Sequence, residues 1–301
     1  MHADLNTSLR GYCLCIGAAK AGTTWLYEQL RHSSEMHFAP EKELHYFFSK
    51  YGQFDRLPPA ARFNKLREFI DRASYNFTAP IGEPEFARKF TFFQKNLDWY
   101  QSFAQGPTTQ SWYRRLFSNA SATQYACDFS PSTSKINLDG VHAIRDLSPT
   151  VKIIYILRDP IERLWSHVKF HAEFMGNFDE VKTYSRRKIV DFIKENDLQA
   201  DGQYGSHLKR YLEVFDRKDV LVIDFSDIRK DPVGLLRQVC DFLDIEQLNV
   251  TEAARSAVNA SQKLPMPEGI LQSFHPDILR ELDTLATLGY EFPERWRASL
   301  K

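Results

Sequence analysis

A glycine-rich loop near the amino terminus contains residues that could bind a phosphate group. In "GAAKAGTT", Gly17 and Gly22 keep the glycine spacing of the phosphate-binding pattern G-x-x-x-x-G-K-[ST], but the lysine, Lys20, lies inside the loop and Thr23 follows the second glycine. Small residues let backbone N–H groups approach an anion closely, and Lys20 could neutralise its charge. The displaced lysine is atypical of a site for a nucleoside triphosphate and Mg²⁺. The same spacing also fits a strand-to-helix turn without a ligand.

An arginine and a serine farther along the chain form a second candidate anion site. Arg158 directly follows the apolar run "VKIIYIL", and Ser166 lies in the helix predicted after it. In open α/β sheets, ligands bind at the carboxyl ends of the strands, and a guanidinium group suits the geometry of a phosphate. Alternatively, Arg158 pairs with Asp159 or Glu162 as part of a helix cap. Taken alone, this pattern favours the cap.

The elements that must position these residues are apolar strands separated by helices. Short apolar runs predict buried strands at 12–18, 151–157 and 219–225, and helical spacing predicts helices at 23–30, 138–147, 161–174, 180–196, 204–215, 232–243 and 274–287. This alternation predicts an α/β fold, with a single domain over 1–301 and a central parallel sheet flanked by helices. Residues 51–118 are rich in aromatic and basic side chains and are interrupted by prolines. We expect them to form short helices and loops that cover the site.

Charge and cysteine usage limit the partners and the compartment. The 39 basic residues balance the 39 acidic ones, so no general attraction to nucleic acid or to an anionic membrane is expected. No apolar run is long enough to span a membrane, and no signal-peptide segment precedes residue 11. Cys13, Cys15, Cys127 and Cys240 follow no metal-binding pattern and are predicted to be buried thiols. A cytoplasmic protein is expected, whereas Asn-x-Ser/Thr triplets leave a lumenal Golgi fragment as the alternative.

Taken together, these motifs resemble those of the sulfotransferases that use 3′-phosphoadenosine 5′-phosphosulfate (PAPS). "KAGTTWL" at 20–26 and "RDPIERLWS" at 158–166 resemble the two donor-binding segments of that family. "PEKELHYFF" at 40–48 is similar to a segment of its heparan-type, Golgi-like branch, and similar patterns at 202–215 and 221–245 extend the likeness over about 11–290. Each match is weak alone, but their shared order and spacing are specific. Because Met1 stands so close to the first strand, a bacterial member is expected.

The resemblance implies a P-loop-like sulfotransferase fold and a transfer reaction that needs no metal. The lysine loop would hold the 5′-phosphosulfate, and the segment after Arg158 would hold the 3′-phosphate. The implied donor-binding residues are Lys20, Ala21, Gly22, Thr23, Thr24, Trp25, Arg158, Ser166, Tyr204, Ser261 and Lys263. Glu43 would be the general base, with His45 as a helper, and Lys20 would neutralise the bridging oxygen as the sulfuryl group leaves.

The acceptor is expected to be a hydroxyl-bearing carbohydrate or small metabolite. Candidate stacking platforms for it within 51–118 are Trp99, Tyr100, Trp112 and Tyr113, although most of these side chains are expected to belong to the core. A stacked sugar ring or an apolar molecule would fit such side chains equally well.

One segment departs from the heparan-type pattern. In "CDFSPSTSK" at 127–135, Phe129 stands where that branch has a lysine, and Lys42 or Lys135 is the expected substitute. This departure favours one alternative, an inactive homologue that retains only nucleotide binding. The other alternative is a P-loop-type kinase, which would need a lysine directly after Gly22.

Overall fold

The computed structural model of the protein describes residues 9–75, 82–250, 264–298 and 300. Its centre is a five-stranded sheet in the order β2-β3-β1-β4-β5, and every neighbouring pair is parallel. The strands are β1 (Gly11–Gly17), β2 (Met36–Phe38), β3 (Tyr125–Asp128), β4 (Val151–Leu157) and β5 (Val220–Asp224). The predicted α/β class with a central parallel sheet is confirmed.

Helices cover the sheet, as βαβ connections require. They are α1 (Thr23–Leu30), α2 (Tyr46–Tyr51), α3 (Pro59–Tyr75), α4 (Glu83–Ala104), α5 (Gln110–Arg115), α6 (Leu138–Arg145), α7 (Pro160–Phe174), α8 (Phe178–Val181), α9 (Arg186–Glu195), α10 (Tyr204–Leu212), α11 (Asp227–Lys230), α12 (Pro232–Leu243), α13 (His275–Thr287) and α14 (Arg295–Ala298). Short 3₁₀ turns lie at Pro131–Lys135, Ala200–Gly202, Arg217–Asp219 and Gln272–Phe274. Both central strands, β1 and β4, are almost wholly buried, which explains their continuous apolar sequences.

The long strands match the predicted ones, whereas the short strands were missed. β1, β4 and β5 lie within one residue of the predicted bounds. β2 and β3 have three and four residues, too few to show a periodic pattern. The prediction of one continuous helix over 180–196 is wrong, because the chain forms two helices there, α8 and α9. Ser185 accepts a hydrogen bond from the Lys188 N–H and so begins a new helix, α9.

The region 51–118 contains long helices, contrary to the prediction of short ones. Helices α3 and α4 have 17 and 22 residues and pack together through aromatic rings, with Phe69 stacked on Phe93 and on Tyr100 at centroid distances of 5.5 and 4.5 Å. The prolines that suggested interruptions, Pro59 and Pro84, instead occupy the first turns of these helices. Proline is tolerated there because its missing N–H would have no partner within the helix.

All five strands run in one direction, so their carboxyl ends meet at a single edge. The loops that leave this edge contain Lys20 after β1, Ser130 after β3, Arg158 after β4 and Phe225 after β5. Ligands bind at this edge in open α/β sheets.

Candidate active site

The loop after β1 ends in a backbone conformation that favours glycine. Gly22, the residue before α1, has a φ of 91°. A side chain there would also approach Ile228 Cδ1 to 2.6 Å and Phe225 Cδ2 to 2.9 Å. At the other end of the loop, the Ala18 N–H donates to the Ile156 carbonyl at 2.8 Å. The loop is therefore held close against the sheet by small residues, as the phosphate-binding prediction requires.

Lys20 lies in this loop with a φ of 68°, and its ammonium group is 3.9 Å from the centroid of the Phe170 ring. Burial lowers the pKa of Lys20, while the nearby Glu173 carboxylate acts in the opposite direction. The positive charge therefore lies in a partly buried site, and its attraction to an anion is stronger there than in bulk water.

Arg158 connects the two predicted anion sites. Its Nη1 donates to the Lys20 carbonyl at 3.2 Å, and its guanidinium carbon lies 4.7 Å from the Phe225 ring centroid. Its Nη2 also pairs with Glu162 at 3.2 Å, so the alternative contact is present as well. The Tyr204 hydroxyl donates to the Arg158 carbonyl at 2.9 Å. Tyr204 thus holds the Arg158 backbone at the end of β4, while the Arg158 side chain contacts the loop after β1.

Helix α7 carries Ser166 into the same region. The helix begins with Pro160, and the Asp159 carboxylate caps it by accepting from the N–H groups of Ile161 and Glu162. Asp159 therefore caps the helix, and Arg158 is left to bridge the loop and Glu162. Ser166 is 7% exposed and lines the cleft described below.

A third segment brings a carboxylate beside the loop. Lys42 Nζ donates to Thr24 Oγ1 at 3.0 Å and to Thr23 Oγ1 at 3.4 Å, and it lies 3.6 Å from Glu43 Oε1. The other carboxylate oxygen of Glu43 lies 3.6 Å from His45 Nε2. Lys42 therefore links the first turn of α1 to Glu43, and it was predicted only as a substitute lysine.

His45 is a neutral side chain in a restrained position. Burial, followed by the positive charge of Arg56, lowers the pKa of His45 to about 3. Its Nδ1 lies 3.1 Å from Ser132 Oγ, and its φ is 55°, in the left-handed region that few residues other than glycine adopt.

These segments surround one cleft with a volume of about 1720 Å³. The predicted site residues that line it are Lys20, Gly22, Thr23, Thr24, Trp25, Glu43, His45, Arg158 and Ser166. Ala21 and Tyr204 are fully buried and do not line it. The predicted residues Ser261 and Lys263 lie outside the described part of the chain.

The cleft also contains a charged cluster that the sequence analysis missed. Lys135 Nζ pairs with Asp201 Oδ2 at 3.0 Å, and His167 Nδ1 lies 3.8 Å from the same oxygen. Burial raises the pKa of Asp201, but positive charge, above all that of Lys135, outweighs this effect and lowers it overall. These residues come from separate segments and follow no spacing rule, so no sequence signal could have grouped them.

The aromatic residues predicted as acceptor platforms are part of the core. Trp99, Tyr100, Trp112 and Tyr113 are at most 6% exposed, and none of them lines the cleft. Residues of 51–118 that do line it are Gln53, Phe54 and Arg56. The expectation that these side chains belong to the core is therefore confirmed, and they are not stacking platforms in this cleft.

Three further properties concern the part of the chain that the structure describes. No helix there is both long and apolar enough to cross a membrane. No cluster of three or more His, Cys, Asp or Glu side chains has the arrangement of a metal site. All four cysteines are buried and unpaired, as predicted.

Comparison with known proteins identifies the class to which this fold and cleft belong. A model of the sulfotransferase family matches residues 13–249, so the chain belongs to that family. Among curated relatives, the mouse (Mus musculus) bifunctional heparan sulfate N-deacetylase/N-sulfotransferase 4 is 28% identical over 169 residues, which are 54% of this chain and 18% of that protein. Human (Homo sapiens) carbohydrate sulfotransferase 15 is 22% identical over 276 residues, 84% of this chain and 47% of that protein. The chain therefore spans less than half the length of these relatives.

A solved structure supports the fold assignment. The crystal structure of a sulfotransferase from Alicyclobacillus acidocaldarius superimposes with a TM-score of 0.60 at 21% identity and covers 95% of this chain and 98% of that one. At this identity the likeness establishes the fold alone.

Proposed function

We propose that the protein transfers a sulfuryl group from PAPS to a hydroxyl group of a carbohydrate or small-metabolite acceptor. The observation that carries this proposal is the contact between Arg158 and the Lys20 carbonyl, which joins the two candidate anion-binding segments in one cleft. PAPS has anionic groups at both its 5′ and 3′ positions, so it requires two such sites. Glu43 lines the same cleft and supplies a carboxylate for proton removal.

The residues of the cleft fit the two ends of such a donor. Lys20 and the hydroxyls of Thr23 and Thr24 would hold the 5′-phosphosulfate at the amino terminus of α1, where backbone N–H groups favour an anion. Arg158 and Ser166 would hold the 3′-phosphate. Bound there, PAPS supplies an activated sulfuryl group, and its S–O bond to the 5′-phosphate breaks during transfer.

Glu43 is proposed to accept the proton of the acceptor hydroxyl while the acceptor oxygen bonds to sulfur. His45 is neutral at ordinary pH and would orient the Glu43 carboxylate through its Nε2. Lys20 would stabilise the negative charge left on the 5′-phosphate, and Lys42 is close enough to the loop to assist. No atom is gained or lost in this scheme: one S–O bond replaces another, and the proton ends on Glu43.

The positions of two lysines favour an enzyme over an inactive homologue. Phe129 is fully buried and replaces the lysine of the heparan-type pattern, but Lys42 and Lys135 both line the cleft. The cleft therefore retains a cation beside Glu43, because Lys42 Nζ lies 3.6 Å from its carboxylate. The kinase alternative has less support, since Thr23 occupies the position where the phosphate-binding lysine of a P-loop would stand.

A cytoplasmic location is also part of the proposal. The four buried cysteines are unpaired, which suits a reducing compartment. The lumenal alternative would be supported by glycosylation at any of the Asn-x-Ser/Thr triplets when the chain is expressed in a secretory pathway.

The first experiment is a thermal-shift comparison of 3′-phosphoadenosine 5′-phosphate (PAP), Mg-ATP and 5′-AMP. Selective binding to the folded state raises its stability by about 2.7 kcal/mol at a 100-fold excess of ligand over Kd. A shift with PAP alone is expected. In the Arg158→Ala variant, loss of a charge-assisted phosphate contact of about 1.5–3 kcal/mol should raise the Kd of PAP roughly 10- to 150-fold.

The control is Arg187→Ala, an exposed arginine on α9 whose side chain is 91% exposed. It should bind PAP as the wild-type protein does. A shift with Mg-ATP and none with PAP would refute the sulfotransferase proposal and favour the kinase.

A further inference from the structure

A buried carboxylate lies behind the cleft rather than in it. Asp128 ends β3, is 2% exposed and does not line the cleft. Its Oδ1 accepts from the Ser130 hydroxyl at 2.6 Å, and its Oδ2 accepts from the Tyr113 hydroxyl at 3.2 Å. Burial raises the pKa of Asp128 to about 6, and the hydrogen bonds from Ser130 and Tyr113 act in the opposite direction by stabilising the charged form.

Through Ser130, the same carboxylate holds the backbone of the segment that carries Glu43. The His45 backbone N–H donates to Ser130 Oγ at 3.1 Å, and the Ser130 hydroxyl donates to Asp128. A serine hydroxyl has one proton, and here that proton goes to Asp128. The lone pairs of Ser130 are therefore directed to the His45 N–H, and the two buried groups act as one anchor.

The segment needs such an anchor because its own contacts are weak. His45 adopts a left-handed backbone conformation that persists only where neighbouring groups impose it. Glu43 has a side chain that is 39% exposed, and its contacts with Lys42 and His45 are both 3.6 Å long. Its position therefore depends on the backbone around Leu44 more than on its own side-chain partners.

We propose that Asp128 and Ser130 are positioning residues that fix the backbone of residues 43–45, and through it the Glu43 carboxylate, at the cleft. This inference rests on the proposed function, because it assumes that Glu43 acts on the acceptor. Neither residue touches the reacting atoms. Both act by limiting the displacement of the base, and displacements of about 1 Å cost on the order of a hundredfold in rate.

The test compares Ser130→Ala and Asp128→Asn with a matched control, Tyr113→Phe. The control removes a hydrogen bond to the same carboxylate but leaves the contact between Ser130 and the His45 N–H in place. Four quantities are measured in each protein: the Kd of PAP, kcat and KM with an accepted hydroxyl substrate, and hydrogen exchange of the His45 amide.

In Ser130→Ala and Asp128→Asn we expect kcat to fall about tenfold or more with the Kd of PAP unchanged, since the donor loop is separate from this anchor. In Ser130→Ala, exchange of the His45 amide should quicken at least about tenfold, because its N–H loses its buried acceptor. Asp128→Asn should quicken the same exchange by loosening Ser130, which loses its charged partner. Tyr113→Phe should retain wild-type kcat and exchange, even where its melting temperature is lower.

The inference is overturned if either folded variant keeps wild-type kcat and amide protection. It is also overturned if Tyr113→Phe loses as much kcat as Ser130→Ala, which would indicate a general loss of stability. If Ser130→Ala does not fold, Asp128→Asn preserves the side-chain shape and decides the question. A wild-type protein that neither binds PAP nor turns over any acceptor would disprove the proposed function instead, and the amide exchange would still test the anchor.

Discussion

Replacement of Gly22 by alanine should destabilise the protein through two separable effects. A φ of 91° places the residue in a backbone region that costs an L-amino acid about 1–2 kcal/mol. The added Cβ would approach Ile228 Cδ1 to 2.6 Å and Phe225 Cδ2 to 2.9 Å, and overpacking of this kind costs about 1–3 kcal/mol. The expected loss in the free energy of unfolding is therefore about 2–5 kcal/mol.

Gly106 provides the matched control for the backbone effect. Its φ is 73°, and a Cβ added there would meet no atom within 4 Å. Gly106→Ala should therefore cost only the backbone term of about 1–2 kcal/mol. Ile228→Val removes Cδ1, the atom nearest to the new Cβ. In the Gly22→Ala background it should recover part of the packing loss, as coupled neighbours do.

The assay is urea denaturation of the wild type, Gly22→Ala, Gly106→Ala and the double variant with Ile228→Val. PAP titration follows for those that fold. Gly22→Ala should unfold at a lower urea concentration than Gly106→Ala with a similar dependence on urea, and it should bind PAP more weakly because the loop is displaced. The reasoning fails if Gly22→Ala costs no more than Gly106→Ala, or if Ile228→Val recovers nothing. Either result would show that the loop has room for a side chain.

Two further predictions concern the base and the buried histidines. Glu43→Gln should lower kcat by about a hundredfold or more and leave the Kd of PAP unchanged. Glu28→Gln, on the outer side of α1, should change neither kcat nor the Kd of PAP. Equal kcat values for wild type and Glu43→Gln would exclude Glu43 as the base. The free energy of unfolding should fall as the pH is lowered from 6.5 to 5. Burial lowers the pKa of His45, His167 and His207 to about 3, so these histidines stay neutral in the folded protein over this range. In the unfolded chain their pKa values are about 6.5, so protons bind to the unfolded state and favour it. Each histidine contributes at most about 1.4 kcal/mol per pH unit to the slope of the unfolding free energy against pH. His207→Gln should reduce this slope, measured by urea denaturation at several pH values. An unchanged slope would show that His207 does not remain neutral in the folded protein.

The contrast between long and short elements explains how much of the fold was predictable. β1 and β4 are continuous apolar runs buried on both faces, so their sequence pattern is strong without any partner. β2, with three residues, exists only because its backbone pairs with β3. Helices α3 and α4 were expected to be broken at their prolines, since the sequence does not show which helical turn a proline will occupy.

Some residues of the candidate site had a sequence signal, and others did not. Lys20, Arg158 and Ser166 were predicted from residue type and spacing, whereas Glu43 was predicted from the resemblance to the heparan-type sulfotransferases. All four line the cleft. Their function in the reaction stays a prediction. The pair formed by Lys135 and Asp201 had no such signal, because a salt bridge between distant segments depends on how the chain folds.

The sequence by itself determined the local chemistry of this protein: small residues and a lysine between a strand and a helix, an arginine at a strand end, and a carboxylate near a histidine. Those features depend on residue type and short spacing, which survive without the rest of the chain. Only the tertiary structure decided that Arg158 donates to the carbonyl of Lys20 and that Trp99 and Tyr113 belong to the core. It also decided that Ser130, hydrogen-bonded to Asp128, accepts from the His45 N–H beside Glu43. These contacts join residues far apart in sequence, and their geometry is set by the parallel sheet, which brings all strand ends to one edge.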